Sequence, residues 1–240
     1  MKYDAIIMGA GHNGLVAASY LAKAGKKVLM LEAAAEIGGA TASVRAFKEY
    51  DARLSRYSYL VALLPDQIVK DLGLNFETIS RDVSSFTPYK KDGKDFGLHI
   101  SRLWDHETEE SFKELTGSDR EGLAWREFYA EVEKFAQKMA PTFLEPLRTR
   151  SEMKTLIGQD DTWEHLIEKP MSEVIKSKFR DDLVRGIVLT DALIGTFVSA
   201  ESIQSNICFL YHLMGNGTGE WKVPRGGMGA LVKELERVAI

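Results

Sequence analysis

The sequence is poor in cysteine, with a single one, Cys208, among its 240 residues. One cysteine cannot form a disulfide within the chain, and it excludes a redox-active cysteine pair within the same chain. Because Cys208 lies in the apolar run Ile207–Leu210, we expect it to be a buried, inert thiol.

The sequence also lacks a strong charge of one sign and any long apolar run. Its formal net charge of −4 at pH 7 gives no basic surface for nucleic acid. No apolar stretch approaches the roughly 20 residues that a transmembrane helix requires. We expect no signal peptide, because Tyr3 already belongs to the first predicted strand. With 45% hydrophobic residues, the composition is that of a soluble globular protein, and we expect it to be cytoplasmic.

The N-terminal segment has the order strand, glycine-rich turn, helix, strand and acidic residue. Apolar runs at Tyr3–Met8 and Val28–Leu31 predict the strands, and Leu15–Ala24 is helical in composition. Glu32 directly follows the second strand, 23 residues after Gly9. This order and spacing predict a βαβ unit that binds a dinucleotide. The alternative is a glycine-rich turn in another kind of α/β unit.

Each glycine of the turn has its own role in such a unit. Gly9 allows the sharp turn after the strand, Gly11 lets a pyrophosphate approach the backbone, and Gly14 lets the helix pack against the strand. The N–H groups at the helix start then face the phosphates. We therefore include His12 and Asn13 among the cofactor-binding residues, and we expect His12 to shape the backbone without transferring protons.

The pair Gly38-Gly39 bears on which dinucleotide is bound. Glu32 is positioned to accept hydrogen bonds from the ribose of an adenosine, which FAD and NAD both contain. A glycine pair six residues further on is unnecessary in nicotinamide-binding domains. Many FAD-binding domains have one, because the chain passes close to the cofactor just after the ribose contact. The pair therefore favours FAD.

The segment GAGHNGLVAASYLAKAGKKVLMLEAAAEIGGAT, residues 9–41, resembles the opening of the phytoene dehydrogenase-related FAD-dependent oxidoreductases. Within that group it is most similar to the branch called pyridine nucleotide-disulfide oxidoreductase domain-containing protein 2. The resemblance implies FAD as the cofactor and an oxidoreductase in which the flavin accepts a hydride from a substrate carbon.

A second glycine-rich stretch covers residues 215–229 and precedes a helix predicted at Ala230–Val238. In the resembling family a Pro-x-Gly-Gly-Met-Gly-Ala-Leu segment leads back here from the substrate domain into the FAD domain. We therefore expect Gly226, Gly227 and Met228 to lie near the cofactor. The alternative is a flexible hinge between domains.

The predicted fold is α/β, with a Rossmann-like FAD-binding βαβ unit and a largely helical α+β insertion. Residues 1–59 and 216–240 form the FAD-binding domain, and residues 60–215 form the substrate domain. Within the insertion, Ser118–Glu121 has the pattern of a capping box that opens a helix running to about Met139. Four apolar residues recur in this helix at spacings of three and four, which indicates core packing, with a ligand pocket as the alternative. They are Trp125, Phe128, Val132 and Phe135.

We identify no catalytic residue, because the sequence has no Ser-His-Asp set, no paired carboxylates and no reactive cysteine pattern. His212, at the end of an apolar helix, is interpreted as a structural residue. No other histidine, cysteine or carboxylate stands at a ligand spacing from it, so we predict no metal.

The fold is expected to be incomplete at its C-terminus. A doubly wound domain needs at least a third parallel strand beside the first, and in the resembling family the chain continues well beyond Ile240. We expect the helix Ala230–Val238 to have an uncovered apolar face. A partner chain or self-association would then complete the fold, because unpaired strand edges invite pairing with other chains.

These observations favour an FAD-dependent oxidoreductase that passes a hydride from an unidentified, apolar small-molecule substrate to the flavin. The alternative is a truncated or regulatory dinucleotide-binding subunit without turnover of its own. A nicotinamide-dependent dehydrogenase is the weaker third interpretation, because it leaves Gly38-Gly39 unexplained.

Overall fold

The structure, a computed structural model, describes residues 2–158 and 160–240. The strands are β1 (Ala5–Met8), β2 (Val28–Leu31), β3 (Ser43–Arg45), β4 (Arg53–Ser55), β5 (Thr78–Ser80), β6 (Val83–Lys91), β7 (Lys94–Ser101) and β8 (Lys222–Pro224). The helices are α1 (His12–Lys23), α2 (Asp66–Leu72), α3 (His106–Thr116), α4 (Arg120–Met139), α5 (Arg150–Ile157), α6 (Asp160–Trp163), α7 (Met171–Lys178), α8 (Asp182–Leu193), α9 (Ser205–Met214) and α10 (Met228–Ala239). Shorter helical turns lie at Gly39–Thr41, Ala140–Leu144, Glu164–Glu168 and Gly215–Gly217.

The chain divides into two compact units. The first contains the chain up to Ser80 together with Trp221–Ile240, and the second contains Arg81–Glu220. The first unit therefore extends beyond the boundary predicted at residue 59. The reason is that Leu72 and Leu74, at the end of α2, share a core with α1 and α10, and that β5 pairs with β8.

The first unit contains the predicted βαβ arrangement. β1 and β2 pair in parallel, from Ala5 opposite Val28 to Met8 opposite Leu31, and α1 connects them. α1 ends at Lys23, and Gly25 follows with a φ of 72°, the left-handed conformation that commonly terminates a helix. The predicted Rossmann-like order of strand, turn, helix and strand is confirmed.

The apolar face of α10 is buried within its own unit. Leu231, Val232 and Leu235 belong to a core cluster that also contains Leu15 of α1. The two helices approach closely enough for the Ser19 hydroxyl to donate a hydrogen bond to the Leu235 carbonyl at 3.2 Å. The prediction of an uncovered face on this helix is therefore wrong, because α1 and α2 supply the covering surface.

The exposed apolar surface of the first unit includes side chains of the sheet instead. Ile6 is 62% exposed and Met8 is 86% exposed, and they lie on the same face of β1 because side chains alternate along a strand. Leu31, the last residue of β2, is also half exposed. One face of this two-stranded sheet is therefore open.

The second unit begins with a hairpin and continues as a helical array. β6 and β7 pair in antiparallel fashion around Asp92 and Gly93, whose φ angles of 51° and 76° fit the predicted two-residue turn. α3 then packs on β7. Its first turn is capped by Asp105, whose carboxylate accepts the N–H of Thr108 at 2.9 Å.

α4 forms over the predicted range, and its apolar stripe is buried as core packing predicts. The capping box predicted at its start is wrong. The residue at the N-cap is Asp119 and not Ser118, and Asp119 has a helical backbone and makes no side-chain cap bond. Glu121 is instead 3% exposed and accepts the N–H groups of Arg180 and Asp181 at 3.1 and 3.4 Å. The buried stripe consists of Trp125, Phe128, Val132 and Phe135.

Within residues 2–158 and 160–240, no helix combines the length and the apolar character needed to cross a membrane.

Candidate dinucleotide-binding site

The glycine-rich turn links the end of β1 to the start of α1. Gly9 has a φ of 98°, a backbone conformation that residues other than glycine rarely adopt. Its N–H donates to the carbonyl oxygen of Leu31 at 2.7 Å, so the turn begins where the parallel pairing ends. The turn is therefore held at the carboxyl ends of both strands, which is where ligands bind in open α/β sheets.

Gly11 leaves space above the turn. A Cβ atom built on it would have no heavy atom within 4 Å, and its φ of −71° is ordinary for any residue. No packing or backbone requirement of the described protein thus explains a glycine here. The open space suits a group that approaches the backbone closely, as a pyrophosphate does in this motif.

The start of α1 offers hydrogen-bond donors beside that space. The first backbone bond of the helix runs from the N–H of Leu15 to the carbonyl of Gly11. The N–H groups of the first turn, which include those of His12 and Asn13, have no partner within the helix. Both side chains are exposed. This end of the helix can therefore receive a phosphate.

Gly14 has a structural role that is fully visible in the free protein. A Cβ atom on it would lie 2.2 Å from the carbonyl oxygen of Gly9. Any side chain would force α1 away from the turn, because two non-bonded heavy atoms do not approach each other this closely. Gly14 thus permits the close packing of helix on strand that the sequence predicts.

Glu32 contacts the turn directly. Its carboxylate accepts the N–H of Ala34 at 2.9 Å and the N–H of Ala10 at 2.7 Å. The hydrogen bonds from Ala34 and then Ala10 hold the pKa of this carboxyl below its usual range, so the group is an anion at neutral pH. These bonds place an exposed carboxylate beside the turn, where the ribose contact is predicted.

Gly38 and Gly39 pack against the first turn. The N–H of Gly38 donates to the carbonyl of Ala10 at 2.7 Å, and a Cβ atom on Gly39 would lie 3.2 Å from the Cα of Gly11. Their φ angles of 113° and 55° both favour glycine. A Cβ on Gly38 would also come within 2.9 Å of Val232 on α10. The Gly9–Gly14 turn and the Gly38-Gly39 pair therefore lie against each other, and α10 packs beside the pair.

A cleft of about 390 Å³ opens beside these turns. It contains two residues of the predicted site, Glu32 and Gly39, and one cation, Arg56, that the sequence analysis did not identify. The only available signal was the position of Arg56 in a polar segment after the glycine pair. The cleft is lined by Glu32, Ala34, Ala35, Glu36, Gly39, Ala42, Val44 and Arg56.

The second glycine-rich stretch forms the start of α10. Gly226 and Gly227 have φ angles of 84° and 78°. Met228 is buried in the core cluster of the first unit, and its N–H donates to the Ser55 hydroxyl at 3.2 Å. This side chain thus packs inside the protein, while cofactor contact by the three residues stays a prediction.

Cys208 and His212, both in the second unit, lie close together on α9. The Nδ1 atom of His212 is 3.0 Å from the carbonyl oxygen of Cys208. Cys208 is partly buried, and its thiol donates to the Ile194 carbonyl at 3.1 Å. Burial raises the pKa of the thiol, which lowers its reactivity. Among the described residues, no group of three or more His, Cys, Asp and Glu forms a metal site.

The residues at the first turn fit a dinucleotide. The open space above Gly11, the N–H groups of the helix start and the carboxylate of Glu32 match the parts of an ADP moiety: pyrophosphate to the turn, ribose to the acid. The fold of this segment is that of a Rossmann-like domain. Accordingly, residues 7–66 match the family described as NAD(P)-binding Rossmann-like domain.

The chain is homologous to pyridine nucleotide-disulfide oxidoreductase domain-containing protein 2 of Mus musculus. The two are 31% identical over 262 residues, covering 96% of this chain and 44% of the mouse protein. An uncharacterized protein of Mycobacterium tuberculosis is 41% identical over 245 residues, covering 99% and 45%. A limonene dehydrogenase subunit of Castellaniella defragrans is 34% identical over 138 residues, covering 56% and 24%. The chain thus spans less than half the length of these relatives.

Solved structures support the fold. Putrescine oxidase bound to putrescine has a TM-score of 0.57 at 19% identity, with 100% of this chain and 49% of that chain covered. Cyclohexylamine oxidase from Brevibacterium oxydans has a TM-score of 0.56 at 16% identity, covering 100% and 50%. At these identities the likeness concerns the fold alone, and it confirms the predicted fold class.

Proposed function

We propose that this chain binds the ADP half of FAD and contributes it to an FAD-dependent oxidoreductase of the phytoene dehydrogenase-related group. The observation that carries the proposal is the convergence of Glu32, the open space above Gly11 and the start of α1 at the carboxyl ends of β1 and β2. The homology to the mouse oxidoreductase-domain protein supports the reaction class.

The contact between the two glycine turns supports FAD over NAD. Gly39 lies against Gly11, so the chain after Glu32 returns to the phosphate end of the site. A side chain on Gly39 would push these segments apart, because its Cβ atom would lie 3.2 Å from the Cα of Gly11. NAD binding needs the first turn and the acid alone, and FAD therefore accounts for more of the observed backbone.

The residues of the chain then have distinct tasks. Gly11 admits the pyrophosphate, the N–H groups at His12 and Asn13 donate to it, and Glu32 accepts hydrogen bonds from the adenosine ribose. When bound, FAD would supply the capacity to accept a hydride from a substrate carbon. The protein supplies binding, orientation and the exclusion of water from the site.

The proposed substrate is an apolar small molecule. Limonene, an apolar hydrocarbon, appears in the name of one relative, the limonene dehydrogenase subunit. Putrescine and cyclohexylamine oxidases share the fold but not enough sequence to suggest amines. The apolar stripe of α4 is core packing and not the proposed substrate site, because its side chains are buried in the core of the second unit.

A second candidate is a dinucleotide-binding subunit that has no turnover alone and is completed by a partner chain or by self-association. The open sheet face with Ile6, Met8 and Leu31 favours it, because burying such side chains in water-free contact stabilises association. The word subunit in the name of the limonene dehydrogenase relative is consistent with assembly.

The absorption spectrum of the purified protein after incubation with FAD and removal of free cofactor tests the proposal. Retained flavin absorbance, with bleaching when an apolar alkene substrate is added without oxygen, supports the oxidoreductase. Retained flavin that no substrate bleaches supports the second candidate. A colourless protein that binds NAD but not FAD contradicts the FAD-dependent oxidoreductase, and a protein that binds neither dinucleotide contradicts both candidates.

A further inference from the structure

Arg56 is a cation that lines the cleft beside the candidate site. It follows β4, and its backbone N–H donates to the carbonyl of Ala42 at 2.8 Å. Its side chain lines the cleft that also contains Glu32 and Gly39. Within the described part of the chain, its guanidinium forms no ion pair or hydrogen bond, although guanidinium groups carry several donors.

The backbone beside Arg56 is fixed by the start of α10. The Ser55 hydroxyl accepts the N–H of Met228 at 3.2 Å, and the Ser43 hydroxyl on the paired strand β3 accepts the N–H of Gly229 at 2.8 Å. These two bonds satisfy donors that a helix start leaves open. They also tie both strands of the β3–β4 pair to the helix, so Arg56 projects from a held strand end.

Two residues that line the cleft belong to chemically different parts of the predicted site. Glu32 marks the predicted ribose end. Gly39 marks the phosphate end, because it packs against Gly11, above which the pyrophosphate would lie. Arg56 lines the same cleft and can therefore reach a ligand that joins these ends.

The charge of the cleft favours a role for a cation in binding a diphosphate. Glu32 and Glu36 both line it, and Arg56 is the one basic residue among the lining residues that the structure describes. A diphosphate that entered beside two carboxylates without a counter-charge would be repelled. Helix N–H groups offer partial charges only, whereas a guanidinium offers a full charge and a planar pair of donors that matches phosphate oxygens.

We propose that the guanidinium of Arg56 binds the diphosphate of the dinucleotide. The inference rests on the proposed function, since it assigns a further binding residue to the same cofactor. It also gives the second glycine-rich stretch a task in the site: Met228 and Gly229 hold the strands that position Arg56.

Calorimetric titration of the full chain with FAD, ADP and adenosine tests this assignment. Arg56→Gln should weaken FAD and ADP binding about ten- to hundredfold, the range for losing hydrogen bonds to a charged group. Adenosine binding should not change, because adenosine has no phosphate. Arg56→Lys should recover part of the loss. The matched control is Arg53→Gln, which removes the same charge from β4 at an exposed position outside the cleft lining.

The possible outcomes separate the two proposals. If the wild type binds neither FAD nor ADP, the proposed function fails and the role of Arg56 fails with it. If the wild type binds both and Arg56→Gln equals Arg53→Gln, only the role of Arg56 is overturned. An equal loss for ADP and adenosine also overturns it. Thermal unfolding of each variant identifies losses that come from misfolding.

Discussion

The carboxylate of Glu32 accepts a hydrogen bond from the backbone N–H of Ala10 at 2.7 Å. This bond joins the end of β2 to the turn that follows β1, across 22 residues of sequence. Glu32 is thus part of the architecture of the turn in the free protein, in addition to its proposed contact with the ribose. Replacing it should affect both the shape of the turn and the cofactor.

Glu32→Ala should weaken FAD binding about tenfold or more, because ribose hydroxyls and the Ala10 N–H both lose their acceptor. Glu32→Gln keeps one carbonyl oxygen as an acceptor, so we expect a smaller loss. Calorimetric titration of FAD measures both. Glu36→Ala is the control, since Glu36 lines the same cleft without a predicted ribose contact. Equal affinity in wild type and Glu32→Ala would refute the assignment.

Gly11→Ala should fold like the wild type and lose FAD. The added methyl group meets no atom in the free protein and the backbone is relaxed, but it fills the space meant for the pyrophosphate. Flavin occupancy after reconstitution, together with the melting temperature, measures the two effects. An unchanged occupancy would show that nothing approaches Gly11 closely.

Gly14→Ala is the comparison and should behave in the opposite way. Its methyl group would collide with the carbonyl of Gly9, so the first unit should lose about 1–3 kcal/mol of stability from overpacking. Chemical denaturation measures this loss. A fully stable Gly14→Ala variant would contradict the close packing of α1 on the turn.

How much of this site the sequence predicted depends on the range of the interactions. Gly9, Gly14 and the βαβ order follow from local spacing, and the structure agrees with them. The contact between Gly39 and Gly11 and the position of Arg56 depend on how distant segments fold back together. No periodicity in the sequence reports such contacts.

Two of the predictions that the structure corrects have the same physical origin. The uncovered face of α10 is predicted because no third parallel strand follows the helix, but the Ser19–Leu235 bond shows that α1 packs against it. Ser118–Glu121 has the sequence of a capping box, but the carboxylate of Glu121 is engaged by backbone donors about 60 residues away. In both cases a tertiary contact overrides a local pattern.

Glu121→Ala should destabilise the second unit by about 2–4 kcal/mol. The carboxylate is buried and accepts the N–H groups of Arg180 and Asp181, which would be left without acceptors. Urea denaturation measures the free energy of unfolding. Glu127→Ala, at an exposed position of the same helix, should change it by less than about 0.5 kcal/mol. Similar losses in both variants would contradict the role of Glu121.

Asp191 should make stability depend on pH. Burial raises the pKa of its carboxyl from 3.8 to about 6, and attraction to His212 opposes the shift only in part. Tyr129 and the thiol of Cys208 also face it, and their pKa values are raised too. Between pH 3.8 and 6 the folded protein binds more protons than the unfolded chain, so this contribution to stability falls as pH rises through that window.

Asp191→Asn removes this titration. At pH 7.5 the variant should be more stable than the wild type by about 1–3 kcal/mol, and the difference should shrink towards pH 4. Urea denaturation across this range measures it. Asp182→Asn, an exposed carboxylate on the same helix, is the control. A difference that is constant with pH would show that Asp191 does not titrate in this window.

Hydrogen–deuterium exchange with and without FAD tests the central claim most directly, because it reports binding and location together. The account predicts that FAD slows exchange at residues 10–15, at residues 34–41 and around Arg56, which form the two glycine turns and the cleft. Unchanged exchange in all of these segments, at FAD concentrations that saturate binding, would contradict the proposed site.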